Sequence, residues 1–200
     1  MLLRCTLLFV CFSALVPSSI LIGVPLIRIT DGWHYQPGEA WVIEAEAENS
    51  ELRAWTKPDF DDRAWIEARG GFVGGPTLLS QATRLPNFGI HTQTSLFRQR
   101  FEVEDVEAIR TLVLRLQYKH GLLLWLNGHL ILNEGFDGLS PETLPTDALA
   151  ALRPDNLFEE RDLSHAVPFL VSGKNVLAAE VHASINQISM AFVAELNGNF

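Results

Sequence analysis

Residues 122–132 read LLLWLNGHLIL, two apolar runs joined through Asn127-Gly128. Asn-Gly between such runs signals a two-residue hairpin, because both central positions of a type I′ turn need positive φ, which Gly takes freely and Asn tolerates. This loop predicts Leu126 opposite His129, Trp125 opposite Leu130 and Leu124 opposite Ile131. One face then carries Leu122, Leu124, Leu126 and Ile131, and the other Leu123, Trp125, Leu130 and Leu132. Both faces are apolar. The hairpin is therefore expected at the centre of a sheet, with a partner sheet on one face and a loop, helix or ligand on the other.

The flanking chain carries the same two-residue period. In TSLFRQRFEV, Phe97, Gln99, Phe101 and Val103 alternate with Leu96, Arg98, Arg100 and Glu102. In RTLVLRLQY, Leu112, Leu114, Leu116 and Tyr118 share a face, opposite Arg115 and Gln117. Ile188, Met190, Phe192, Ala194 and Leu196 form a third row, and Leu177, Ala179, Val181 and Ala183 a fourth, whose reverse side carries Glu180 and His182. Helical signals are few: a short helix over Thr146–Leu152 and a single turn after Ser164. Strands punctuated by Gly, Pro and Asn predict an all-β sandwich or jelly roll, one domain over residues 30–200.

The first 29 residues differ in character. MLLRCTLLFVCFSALVPSSILIGVPLIRI has one early basic residue, Arg4, and an apolar block from Leu7 to Val16, as in a secretory signal peptide. The apolar character resumes over Ile20–Ile27, so an uncleaved anchor through residues 5–27 is the alternative. Either reading places the protein in the cell envelope or outside the cell. Both cysteines, Cys5 and Cys11, fall in this segment, which leaves the rest with no disulfide framework, cysteine metal site or thiol nucleophile. A net charge of -9 and no basic run argue against nucleic acid and anionic membrane surfaces as partners.

Several pieces in order carry a resemblance: WHYQPGEAW at 33–41, KPDFDDRAW at 57–65, GGFVGG at 70–75 and TSLFRQRFEVED at 94–105. GLLLWLNGHLILNEGFDG at 121–138 and LVSGKNVLAAEVHAS at 170–184 complete the set. Together they resemble the galactose-binding-like β-jelly-roll domains of secreted bacterial proteins, among them the sugar-binding domain at the front of glycoside hydrolase family 2 enzymes. The resemblance implies a galactose-binding-domain-like sandwich and a recognition or support role beside a catalytic domain; it does not name a ligand. One departure is visible. Where such domains commonly enter the LNG strand through an acidic Asp-Gly turn, this chain has Lys119-His120-Gly121.

Candidate site residues follow from side-chain chemistry. Asp59, Asp61 and Asp62 offer carboxylates to a Ca2+ ion, the one cofactor the sequence suggests, and equally suit an Asx-rich turn feeding Trp65. Trp33, Trp41 and Trp55 lie near turns and are the rings expected to stack on sugar faces if exposed. The excursion 133–156, which opens with Asn133, Glu134, Phe136 and Asp137, is either a recognition loop or a cover for the hairpin's second apolar face. Glu180 and His182 share a strand face and can bond a sugar hydroxyl, form half a metal site, or satisfy each other.

Catalytic signatures are missing from the sequence. There is no G-x-S-x-G elbow or H-E-x-x-H helix, and GGFVGG lacks the Lys-Ser/Thr and helix of a phosphate loop. The expectation is a non-catalytic recognition module that binds a glycan, with a structural or protein-interaction domain, partnered by a cell-envelope protein, as the alternative. A glycoside hydrolase is the third reading, and would need two carboxylates flanking one bond.

Overall fold

The computed structural model describes residues 23–37, 53–75, 82–86, 93–140, 144–145, 147–153, 157–185 and 189–200. The Asn-Gly segment forms a hairpin of β8 (Gly121–Leu126) and β9 (His129–Glu134). Asn127 and Gly128 have φ of 52° and 85°, the positive pair that the Asn-Gly turn requires. The Asn127 side chain then locks the turn to the neighbouring strand β11 (Gly173–His182): Val176 N–H donates to Asn127 Oδ1 at 2.8 Å, and Asn127 Nδ2 donates to Phe169 O at 2.8 Å.

Leu126 faces His129 and Trp125 faces Leu130, as the loop length dictates, but Leu124 pairs with Leu132 rather than Ile131. A β-bulge after Leu130 inserts Ile131 as an extra residue, which turns Leu132 onto the same side as Leu122 and Leu124. The hairpin is also not wholly central. β8 is buried throughout, whereas β9 is the sheet edge with His129 and Asn133 open to solvent.

Around the hairpin the second sheet runs β3–β2–β6–β11–β8–β9, adding β2 (Gly32–Pro37), β3 (Ile66–Arg69) and β6 (Thr94–Val103). The first sheet runs β10–β7–β12–β4–β5, built from β4 (Phe72–Gly74), β5 (Thr83–Arg84), β7 (Thr111–Lys119), β10 (Glu159–Asp162) and β12 (Met190–Asn199). β1 (Val24–Ile27) pairs with the far half of β12. The fold is an all-β sandwich.

Two cores result. The main one lies between the sheets and takes the inward rows the alternation marks, including Phe97, Phe101, Leu112, Leu114, Leu116, Leu177, Val181, Phe192 and Leu196. Each such side chain stabilises the fold by roughly 1.5–3 kcal/mol on burial. The second core is on the outer face of the second sheet, where Leu96, Leu123, Trp125, Val176 and Ala178 are covered by Trp55, Trp65, Phe136, Leu144 and Ala150 from two chain excursions. The second apolar face of the hairpin is thus sealed by the protein's own loops.

The turn after Ser164 forms as a 3-10 segment, Ser164–Phe169. The helix expected over 146–152 does not form among its described residues, 147–152. Ala150 and Ala151 donate instead to Ala183 O and Gly135 O, so the backbone groups that would build a helix bond across to the sheet.

Candidate functional site

Thr94, Leu96, Arg98 and Arg100 on β6 alternate outward against the inward row of Phe97, Phe101 and Val103. On adjacent β11 the outward set is Val176, Ala178, Glu180 and His182, in register with Arg98 beside Ala178 and Thr94 beside His182. Polar groups therefore bracket the apolar patch of the second core. Segment 53–65 crosses one end of this face, and Leu144 and residues 147–153 cross the other.

At the first end, Asp62 is the anchor. Arg98 Nε donates to its Oδ2 at 2.8 Å and Arg100 Nη1 donates to its Oδ1, while Arg98 Nη1 also reaches the carbonyls of Trp55 and Lys57. Burial pushes the Asp62 carboxyl up, but the bonds from Arg98 and Arg100 outweigh it and hold it below the ordinary range. Burial pulls the Arg98 guanidinium down, with Asp62 opposing. Above this pair Trp55 packs against Trp65 and Trp125 at ring distances of 5.8 and 5.6 Å.

At the second end, Glu180 accepts from Arg53 Nε and Nη2, both at 3.2 Å, and from His182 Nε2 at 2.9 Å. His182 Nδ1 lies 2.8 Å from Ala148 O and 3.0 Å from Thr94 Oγ1, and Arg53 Nη2 donates to Leu144 O. Both Glu180 and His182 have 0% exposure. Each polar atom of this pair holds an internal partner, and together they tie two loops to the sheet.

A third polar group closes the open side of the sandwich. Arg153 lies over the Tyr118 ring at 4.2 Å, donates to Tyr118 OH and pairs with Glu159 at 2.9 Å. Arg161 links Glu159 to Glu134, joining β10 of one sheet to β9 of the other. Burial, with Glu134 adding to it, pushes the Tyr118 hydroxyl up to about 12.

The structure distributes the sequence candidates differently from the expectation. Trp33 and Trp55, expected as exposed stacking rings, have 1% and 0% exposure; Trp33 sits edge-on to Phe192 in the main core. Trp41 lies outside the described residues. Phe136 is likewise buried, edge-on to His182 at 4.8 Å. Asn133 and Asp137 are exposed and Glu134 is half-buried. Asp59, Asp61 and Asp62 do not converge: Asp61 is paired with Arg63, Asp62 with Arg98 and Arg100, and Asp59 is exposed. Among the described residues no three His, Cys, Asp or Glu side chains are grouped to hold a metal ion.

Arg53, Thr94, Arg98, Arg100, His120 and Arg153 are the polar residues that sequence reasoning did not single out. A signal existed for two of them. Arg98 and Arg100 share the outward face of β6 with Leu96, and an apolar residue beside two arginines hints that the face is covered.

No family model and no curated protein matches this chain. Solved structures similar to it include a glycosyl hydrolase family 2 member from Bacteroides cellulosilyticus, at 11% identity and a TM-score of 0.44. Others are β-glucuronidases from Bacteroides uniformis, at 14% and 0.48, and from an uncultured Clostridium species, at 14% and 0.49. The matches cover 84–86% of this chain but only 17–28% of those enzymes. The chain spans about a fifth of the length of the first of them, 20%.

Proposed function

We propose that this chain is a non-catalytic accessory β-sandwich of an exported protein, which supports or docks a protein partner through a rigid surface. One observation carries the reading: Glu180 and His182 on the outer face of the second sheet, and Asp62 on the segment that covers it, are buried and bonded internally. Buried pairs of this kind hold loops in place rather than meet a substrate. Of the rings expected to stack on sugar, the described ones, Trp33, Trp55 and Phe136, are core residues. Glycoside hydrolysis needs two carboxylates facing one bond, and Glu180 and Asp62 are each closed over by arginine.

Carbohydrate recognition is the second reading, favoured by exposed Asn133 and Asp137 beside half-buried Glu134 and its partner Arg161. An amide, carboxylates and a guanidinium along the β9 edge match the hydrogen-bonding needs of sugar hydroxyls. Export is expected through the apolar residues that precede β1, by cleavage or as an anchor, since Val24–Ile27, which the sequence reading assigned to that segment, pairs with β12 in the sandwich. Among the described residues no helix is long and apolar enough to cross a membrane.

A crosslinking pull-down from envelope extracts, run beside a glycan array with and without Ca2+, separates these readings. The first expects a saturable envelope-protein partner and blank arrays. Glycan binding that Asn133→Ala or Asp137→Ala abolishes would move the assignment to carbohydrate; turnover of an aryl glycoside would overturn both.

A further inference from the structure

β10 ends the first sheet: it pairs with β7 on one side, and no described strand lies on the other. In an antiparallel pair, alternate residues turn both backbone groups toward the partner. Leu163, the next residue, donates its N–H to Leu112 O, so Arg161 and Glu159 share that orientation toward β7. Glu160 and Asp162 therefore present their backbone groups to the open edge. Their side chains are exposed on the outer face, and Phe158 precedes them in the same row.

Phe158 is 43% exposed and its ring is held 4.5 Å from the Arg115 guanidinium, which also pairs with Glu195 at 3.5 Å. Arg115 is the β7 residue opposite Glu160, but it is engaged by these two groups. Asp162 accepts from Ser164 N–H. Neither Glu160 nor Asp162 holds an arginine or lysine among the described residues. The open edge thus combines unused backbone groups, two carboxylates of one sign and a fixed aromatic ring.

We propose that the β10 edge takes an extended basic segment of a partner protein as an added antiparallel strand, with the pattern basic–x–basic–x–apolar. The inference rests on the protein-docking reading above and gives that partner a chemistry. Main-chain bonds to Glu160 and Asp162 supply the attachment, and the side chains of the outer row supply the choice of sequence. Basic residues fall opposite Asp162 and Glu160, and the apolar one opposite Phe158, as cross-strand pairs on one face. The ring is already positioned by Arg115, so little freedom is lost when it is covered. The net charge of -9 draws a basic segment in.

The same row turns other occupants away. Two-fold pairing of two copies about Glu160 would set Glu160 against Glu160, and like charges directly opposite are unfavourable. The remaining edges of the second sheet lack this combination. On β9, Ile131 O is met by His165 Nε2 at 3.2 Å, and on β3 the exposed row carries Glu67 and Arg69, of opposite sign.

Two short peptides, titrated into the full chain and followed by amide NMR, test the edge. One has lysine–threonine–lysine–threonine–phenylalanine at its centre; the other has glutamate in place of both lysines. The basic peptide is expected to shift the Glu160 and Asp162 amides saturably and slow their exchange with solvent, and the acidic peptide to leave them unchanged. Glu160→Lys should weaken the basic peptide by about threefold to tenfold. Glu160→Pro removes an outward N–H that β7 does not use, so it should abolish binding and keep the β7 pairing. Equal binding of both peptides, shifts that avoid β10, or undiminished affinity in folded Glu160→Lys each overturn the proposal; that variant decides alone if Glu160→Pro does not fold. Blank peptides beside a saturable partner in the crosslinking pull-down overturn the β10 edge and leave the docking reading standing. Blanks in both remove the docking reading itself.

Discussion

Arg98 Nε donates to Asp62 Oδ2 at 2.8 Å with both side chains out of solvent, the one on β6 and the other on the segment that crosses it. The pair fixes where segment 53–65 lies on the sheet, because Arg98 also reaches the Trp55 and Lys57 carbonyls of that segment. Asp62→Ala strands a buried guanidinium and is expected to cost about 3–5 kcal/mol in denaturant unfolding. The double change Arg98→Met with Asp62→Leu removes both charges and should retain more stability than Asp62→Ala alone. A single variant no less stable than the double would show that the pair is not energetically closed.

Asp62 also sets an acid limb. Its carboxyl is lowered in the fold, burial notwithstanding, by Arg98 and Arg100. A depressed carboxylate contributes stability that is complete above the unfolded value of about 3.9 and is lost as pH falls through the lower folded value. Unfolding free energy should therefore fall steeply below about pH 4 in the native chain. In Asp62→Asn that slope should be shallower, from a lower starting point; an unchanged slope would assign the acid limb elsewhere.

Trp55 is the keystone of the outer core, touching Trp65 and Trp125 and wholly buried. Trp55→Ala opens a cavity in a layer only one segment thick and is expected to destabilise by about 3–5 kcal/mol. Near-ultraviolet circular dichroism should lose the exciton-like signal of the Trp cluster even where the chain stays folded. Full retention of stability and spectrum would mean that the cover is not part of the cooperative unit.

What was legible in the sequence is what is local. Asn127-Gly128 fixes its turn through the φ of two adjacent residues, and the rows of β6, β7, β11 and β12 follow from a period of two. The bulge at Ile131 was not legible, because it depends on β9 being an edge strand. Nor was the burial of Trp55, whose position near a turn suggests exposure. Its partner Trp125 is remote along the chain, and the arginine that neutralises Asp62 is 36 residues away. Glu180 and His182 were placed together by strand period alone; that Arg53 and the carbonyls of Leu144 and Ala148 close over them is a tertiary fact.

Asn127 combines two roles that substitution can separate. Asn127→Gly keeps the positive φ but removes the bonds to Val176 N–H, Phe169 O and Asn175, and should cost about 1–3 kcal/mol. Asn127→Ala removes the same bonds and adds left-handed strain of about 1–2 kcal/mol. Chemical denaturation of the two variants measures that difference. Equal stabilities would mean that the turn relaxes to another geometry when the side chain is lost.

Tyr118 marks the alkaline side. Its hydroxyl is raised to about 12 by burial first and by Glu134 next, against Arg153. A phenol with a raised folded value is neutral in the fold while the unfolded chain ionises at about pH 10. Its contribution is therefore complete below about pH 10 and is lost as pH rises toward the folded value. Tyr118→Phe keeps the ring beneath the Arg153 guanidinium but has nothing to ionise. It should be less stable at neutral pH, for want of the hydroxyl that accepts from Arg153, and should lose stability less steeply between about pH 10 and about pH 12. Urea midpoints across that range decide it. Parallel alkaline slopes in the two proteins would place the ionising group elsewhere, Tyr35 being the other buried phenol with a raised value.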